Sequence, residues 1–171
     1  MPGLIRPRRP SDLDGCVAAL ATVHAADRYP LAWPADPVRW LTGSERTLAA
    51  WVADDGAKVV GHVVLGDGSA ESALAAAVGL PPQRIGVVLR LFVVPLARGE
   101  GLGERLLDAA AREASARALR LCLEVIERSG AAIALYQRLG WQHVGTGIAD
   151  WTAPDGSHEV LHYFAAPSLA G

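Results

Sequence analysis

At 171 residues, 51% of them hydrophobic and 20% charged, with a formal net charge of −2, the chain already excludes several classes of protein. It is long and apolar enough for one globular domain with its own core, and too apolar to be disordered. A chain this close to neutral lacks the basic face that nucleic acid demands of a main partner, and no apolar run approaches the ~20 residues of a membrane span. The N-terminal residues lack the apolar stretch of a signal peptide, so the expected location is cytoplasmic. Cys16 and Cys122 stand far apart, fit no metal or redox motif and are too few for a disulfide framework; both are expected to be buried, reduced packing residues. The basic cluster Arg6, Arg8 and Arg9 is broken by prolines and reads as a solvated strand end.

Leu4 to Arg6 forms the first expected strand. Ser11, with Asp14 three residues on, signals a helix start, and Leu13, Val17, Leu20 and Val23 follow at helical spacing. The segment Tyr29 to Pro37 holds three prolines and two aromatics, a stiff loop with a short helix near Val38 to Leu41. Leu48 to Ala53 and Lys58 to Leu65 flank Asp54-Asp55-Gly56-Ala57, a strong hairpin signal. Ser69 to Val78 predicts a short helix closed by Pro81 and Pro82, and Val87 to Val94 a strand. Beyond a glycine-rich turn, Leu102, Leu106, Ala110 and Ala114 put one apolar stripe on a helix, with Asp108–Arg112 and Glu113–Arg117 as i,i+4 pairs on its wet face. Arg120 to Ile126 is a second buried strand, joined to its predecessor through that helix and therefore parallel to it. A helix over Gly130 to Leu139 stops at Gly140. Trp141 to Val144, continuing near Ile148 to Trp151, and Glu159 to Phe164 close the sheet, and Ala165 to Gly171 reads as a tail. The tally is one α/β domain with a mixed, mostly antiparallel sheet of six to seven strands, one parallel pair and about four helices. No internal repeat is visible.

The turn Arg98-Gly99-Glu100-Gly101-Leu102-Gly103 carries the most chemistry. Its glycines let backbone approach a ligand closely, and the helix behind offers unpaired N–H groups with roughly half a positive charge. Together these cradle an anion, most often a phosphate. A P-loop fails because no lysine and hydroxyl residue follow the glycines. A dinucleotide fingerprint fails in spacing, since counting from Gly99 the third glycine position holds Glu104; Glu124, about 20 residues on, keeps that alternative open as a ribose-binding acid. One clear βαβ unit also counts against a doubly wound sheet. A tight turn with no ligand is the plain alternative.

What remains is R-x-x-G-x-G, met by Arg98, Gly101 and Gly103, which resembles the pyrophosphate loop of the GNAT superfamily of acetyl-CoA-dependent N-acetyltransferases. A second motif, Leu123-Glu124-Val125 followed by Ser129, Ala132, Leu135-Tyr136, Leu139-Gly140 and Trp141, resembles the family's L-E-V…N-x-x-A-x-x-L-Y-x-x-L-G-F block. The start, Ile5 to Leu13, is similar too. Ser129 stands where the family usually has Asn, and Trp141 replaces its Phe.

The resemblance implies that two parallel strands splay and that the pantetheine arm of acetyl-CoA lies in the gap. Backbone groups of Phe92, Val93 and Val94 would pair with the arm and the acetyl oxygen, and Arg98, Gly99, Gly101, Leu102, Gly103 and Glu104 would hold the pyrophosphate. Ser129 and Ala132 would border the cofactor. Tyr136 would be the general acid for the departing thiolate, as a phenol with a reference pKa near 10 stays protonated at neutral pH; its other reading is a core aromatic. Glu124 interrupts the apolar run Leu121 to Ile126 and would act as base through water, its pKa raised by burial, or else pair structurally with Arg90. Neither cysteine has a His partner or a helix-start position, so direct attack in a ternary complex is expected. Tyr29, Trp33 and Trp151 are candidates for walling an acceptor pocket, though surface-loop packing accounts for them as well; His62 lies in a strand near the expected acceptor, with a structural role its plainer reading. His158 and His162 share a strand face, but two ligands make no metal site. The expected partner is a small-molecule or peptide amine; an acyl-CoA-binding regulatory domain, or an acyltransferase using another acyl group or acceptor, is the alternative, and homodimers are common among proteins of this type.

Overall fold

The computed structural model describes residues 3–43 and 46–168. Its seven strands are β1 (Leu4–Pro7), β2 (Thr47–Asp54), β3 (Val59–Asp67), β4 (Ile85–Val93), β5 (Arg120–Ile126), β6 (Gln142–Thr152) and β7 (His158–Ala165), hydrogen-bonded in the order β1-β2-β3-β4-β5-β7-β6. The helices are α1 (Leu13–Asp27), α2 (Pro37–Thr42), α3 (Ser72–Val78), α4 (Leu102–Ala116) and α5 (Gly130–Arg138), five where the sequence suggested about four. The β4–β5 pair is parallel and short: Ile85, Gly86 and Val87 oppose Arg120, Leu121 and Cys122, and the ladder ends there. β5 nevertheless goes on pairing with β7 as far as Ile126 and Leu161.

The chain divides into two compact units, residues 1–66 with 89–110, and residues 67–88 with 111–171. In the first, β2 and β3 pair antiparallel, and β3 is buried along almost its whole length, which is why it reads as an unbroken apolar run. Cys16, Leu20, Leu41, Val52, Leu65, Leu102 and Leu106 are buried in this unit's core. A Cβ on Gly61 would stand 3.1 Å from Leu106 and 3.3 Å from the Phe92 carbonyl, so the bare backbone there lets α4 seat on β3. Ser11 is not the helix cap. Pro10–Asp12 forms a 3-10 turn, and Asp12 accepts the Arg9 N–H at 2.6 Å. Asp12 also receives both terminal nitrogens of Arg6, which binds Asp54 as well. Arg6 is thus a clamp between carboxylates rather than a solvated strand end. α2 begins as its sequence implies, with Asp36 accepting the Arg39 N–H at 3.0 Å.

In the second unit β7 lies between β5 and β6, antiparallel to both. β6 is one strand rather than two pieces, with register shifts at His143/Gly145 and Ile148/Thr152 where the sequence pattern broke. α3 starts at Ser72, later than expected, because Asp67 holds the Ser69 N–H at 2.9 Å in a local turn. Leu74, Ile85, Leu121, Leu123, Tyr163 and Phe164 fill the core. Ala165 belongs to β7, and the buried Ala166 donates its N–H to Leu121, so the expected tail is tied down at its start; residues 169–171 lie outside the described ones. No helix is long and apolar enough to cross a membrane among the described residues.

Candidate active site

In the first unit β4 bends at Arg90, whose φ of +54° is a left-handed value in mid-strand. A side chain seldom adopts it without outside help. Here His62 Nδ1 binds the Arg90 carbonyl at 2.9 Å, and the Arg90 guanidinium lies 4.0 Å over the Trp40 ring with its Nε donating to the Trp40 carbonyl at 3.2 Å. One hint of this is local, a lone cation inside an apolar strand. The side chain held by Trp40 was not foreseeable from spacing.

His62 has no exposed surface and stacks on Phe92, with centroids 5.2 Å apart. Arg8 Nη1 lies 2.8 Å from its Nε2. Arginine only donates, so Nε2 accepts and the ring proton sits on Nδ1, where it binds Arg90. Burial is the main reason the imidazole pKa is held down at about 4. Both nitrogens are engaged and the ring is sealed, so His62 holds the bend in β4.

Beyond β4, the Val94 N–H donates to Val60 at 2.9 Å, and Pro95–Ala97 makes a 3-10 turn. Phe92 and Val94 are buried, with Val93 between them half-buried. Arg98 is extended; its Nε donates to the Val93 carbonyl at 3.0 Å and its guanidinium pairs with Asp27. Gly99 and Gly101 take φ of +83° and +75°. A Cβ on either would meet nothing within 4 Å, so the backbone angle demands glycine and the space above them is open. The first bond of α4 runs from the Arg105 N–H to Gly101 at 3.0 Å, which leaves the N–H groups of Leu102, Gly103 and Glu104 ahead of the helical ladder. Leu102, 2% exposed, anchors the helix start. Open backbone donors at the positive end of a helix dipole fit a pyrophosphate.

Tyr29 meets Trp40 edge-on at 6.0 Å, and burial pushes its phenol up to about 12. Trp33 is 40% exposed and tilts over His24, whose Nδ1 holds the Pro30 carbonyl at 2.7 Å. The structure therefore groups Tyr29 with Trp40 and Arg90, and places Trp33 with His24 instead.

In the second unit Glu124 is exposed, against the burial its apolar neighbours implied. It lies two residues past the last pair with β4, where cover on that side ends, and opposite Tyr163 of β7. Tyr136 is 7% exposed on α5, its ring 5.6 Å from Trp141 and 5.9 Å from Phe164. Trp141 is itself buried against that ring. Ser129 makes no side-chain cap bond; its N–H donates to Ile126 and its carbonyl receives the Ile133 N–H. Ala132 is half-buried in the first turn of α5. His158 and His162 do not act together: His162 Nδ1 lies 3.0 Å from His143 Nε2, while His158 holds the Ala149 carbonyl at 3.3 Å. Trp151, 42% exposed, belongs to β6. Cys16 and Cys122 are both fully buried, and burial raises each thiol to about 11.

Among solved structures the chain is similar to Arabidopsis thaliana NAA60 in complex with a bisubstrate analogue, at 21% identity and TM-score 0.72, covering 95% of this chain and 97% of that one. NAA60 in complex with acetyl-CoA gives 21% identity and TM-score 0.71, with 95% and 96% covered. The ribosomal-protein-S18-alanine N-acetyltransferase of Escherichia coli gives 23% identity and TM-score 0.69, with 99% and 96% covered. At these identities the likeness concerns the fold. No curated protein matches the chain. Residues 46–143 match the family described as the acetyltransferase (GNAT) domain, a span that includes the bend in β4, the glycine turn, Glu124 and Tyr136. With more than half of its length matched, the chain belongs to the GNAT acetyltransferase family.

Proposed function

We propose that this chain is an N-acetyltransferase that uses acetyl-CoA and passes the acetyl group to a primary amine of a small molecule or peptide, by direct attack in a ternary complex. The observation that carries the reading is the turn at Gly99 and Gly101, open above and followed by the unladdered N–H groups of α4. Acetyl-CoA supplies an activated thioester; the chain supplies binding and proton handling. Arg98 to Glu104 hold the pyrophosphate, and Phe92 to Val94 offer backbone groups to the pantetheine arm. The Val94 N–H already serves Val60, so Val93 is the better donor there. The Tyr136 hydroxyl gives its proton to the leaving sulfur, and Glu124, exposed to water, takes one from the acceptor amine. Ser129 and Ala132 border the cofactor. With both thiols buried, no acyl-cysteine step enters. Support also comes from the family match and from the acetyl-CoA and bisubstrate complexes of NAA60.

The test couples turnover to binding. Free CoA should appear only when an acceptor amine is added, and Tyr136→Phe should lower kcat roughly 10²–10⁴-fold while acetyl-CoA still binds. At a hundredfold excess over Kd, acetyl-CoA should stabilise the wild type by about 2.7 kcal/mol, and Gly101→Val should lose that gain. Retained stabilisation in Gly101→Val would move the cofactor elsewhere. Stabilisation without CoA release for any amine would leave a binding domain only.

A further inference from the structure

Arg90 is doing something the acetyl-transfer reading does not use. Its guanidinium is half-buried and lies flat on Trp40, with Nε engaged by the Trp40 carbonyl. Among the described residues, the two terminal nitrogens donate to no protein acceptor and no carboxylate pairs with the group. A cation partly withdrawn from water without an anion is costly. The cost is compounded by backbone strain, since φ at this residue is +54°. Nor is the side chain loosely placed: Trp40 fixes its plane, Tyr29 stands edge-on to the same indole, and the sealed His62 clamps the Arg90 carbonyl from behind. Burial is the main reason the Arg90 pKa is lowered; Tyr29 acts against it and the nearby charge of Arg46 acts with it. A rigid planar fork with both terminal nitrogens unused matches the two oxygens of a carboxylate.

We propose that the Arg90 guanidinium, seated on Trp40 beside Tyr29, is an oxyanion subsite for the acceptor, so that the amine this enzyme acetylates carries a carboxylate, as a free amino acid does. The inference rests on the acetyl-transfer reading for the acceptor's role and on the geometry of Arg90 for its charge. The phosphates of acetyl-CoA are the competing anions. They are assigned to the turn at Gly99 to Glu104, nine or more residues further along the chain, whereas Arg90 is held by Trp40 of α2, against which Tyr29 of the α1–α2 connection packs.

Matched pairs of amino acids and their carboxamides, offered as acceptors at saturating acetyl-CoA, test this directly. The preferred amino acid should exceed its amide about 10- to 100-fold in kcat/KM, the range of a charged hydrogen bond. Arg90→Asn should collapse that ratio towards one, because asparagine tolerates a left-handed φ and keeps the bend. Arg90→Lys should retain part of it. A collapse seen in the KM for acetyl-CoA instead of the acceptor ratio would assign Arg90 to the cofactor and overturn the proposal. A second measurement needs no turnover: titration with N-acetylated amino acids and N-acetylated amino-acid amides, read by tryptophan fluorescence. Carboxylate-selective binding present in the wild type and lost in Arg90→Asn supports the subsite; no carboxylate preference in any pair refutes it. Carboxylate-selective binding without CoA release from any acceptor would uphold the subsite and sink the transfer reading. Transfer to amines with no carboxylate preference would do the reverse.

Discussion

His62 and Asp12 each hold a protonation state that folding imposes, and the two act in different pH windows. His62 is neutral in the fold with its pKa held at about 4, below the ordinary imidazole value of 6.5. The unfolded chain therefore binds more protons as pH falls below 6.5, and the stability contributed by neutral His62 drains away between 6.5 and 4. Asp12 is lowered from 3.8 to about 2, chiefly by its hydrogen bond to Arg6, so its contribution survives that window and is lost only between about 4 and 2. Urea denaturation should show wild-type stability falling by about 2–3 kcal/mol from pH 7 to pH 4.5 on account of His62. His62→Gln should be less stable at pH 7 and nearly flat over that range. Parallel curves for the two proteins would mean that another group titrates. None of this is readable from His62 in sequence, where it is one polar residue in an apolar strand. Its meaning depends on Arg8 and Arg90, 54 and 28 residues away.

Elements were far more legible than their contents, because hydrophobic period is a local property. The bounds of β5 were read as Arg120 to Ile126 and stand so; α4 begins at Leu102 as its stripe implied, and the Glu113–Arg117 pair forms at 2.8 Å. The β6–β7 pair shows what period misses. Gly145 and Gly147 fall between the expected segments Trp141 to Val144 and Ile148 to Trp151, yet both lie within β6. A Cβ at Gly147 would stand 2.1 Å from the Tyr163 hydroxyl, whereas one at Gly145 would have only an ordinary contact at 3.4 Å with Ala77. Gly147 is small because a phenol from the next strand crosses it. Gly147→Ala should therefore cost about 1–3 kcal/mol by overpacking, with Gly145→Ala nearer neutral. Tyr163→Phe in the Gly147→Ala background should return part of the loss. The comparison is a set of melting temperatures, and equal losses at the two glycines would show that the phenol does not set the limit.

At the scale of the whole chain, each compact unit carries one buried thiol, Cys16 in the first and Cys122 in the second. Native protein should therefore resist a thiol reagent at both positions, and each cysteine should react only as its own unit opens in denaturant. The Cys16→Ala, Cys122→Ala double variant should keep its transfer rate within a few-fold. Fast labelling of either thiol in the native state, or a trapped acetyl-cysteine, would contradict the buried, unreactive assignment. The sequence by itself determined the family, the order of elements, the parallel β4–β5 pair and the glycine turn, because each is written in contiguous residues whose period, turn chemistry or motif is local. Only the tertiary structure decided that Glu124 is exposed, that Arg6 clamps Asp12 and Asp54, and that Arg90 is bent, stacked on Trp40 and, among the described residues, left with its terminal nitrogens unused. Those facts arise from where strands stop pairing and which distant side chains meet, and burial and charge are properties of that meeting rather than of any stretch of chain.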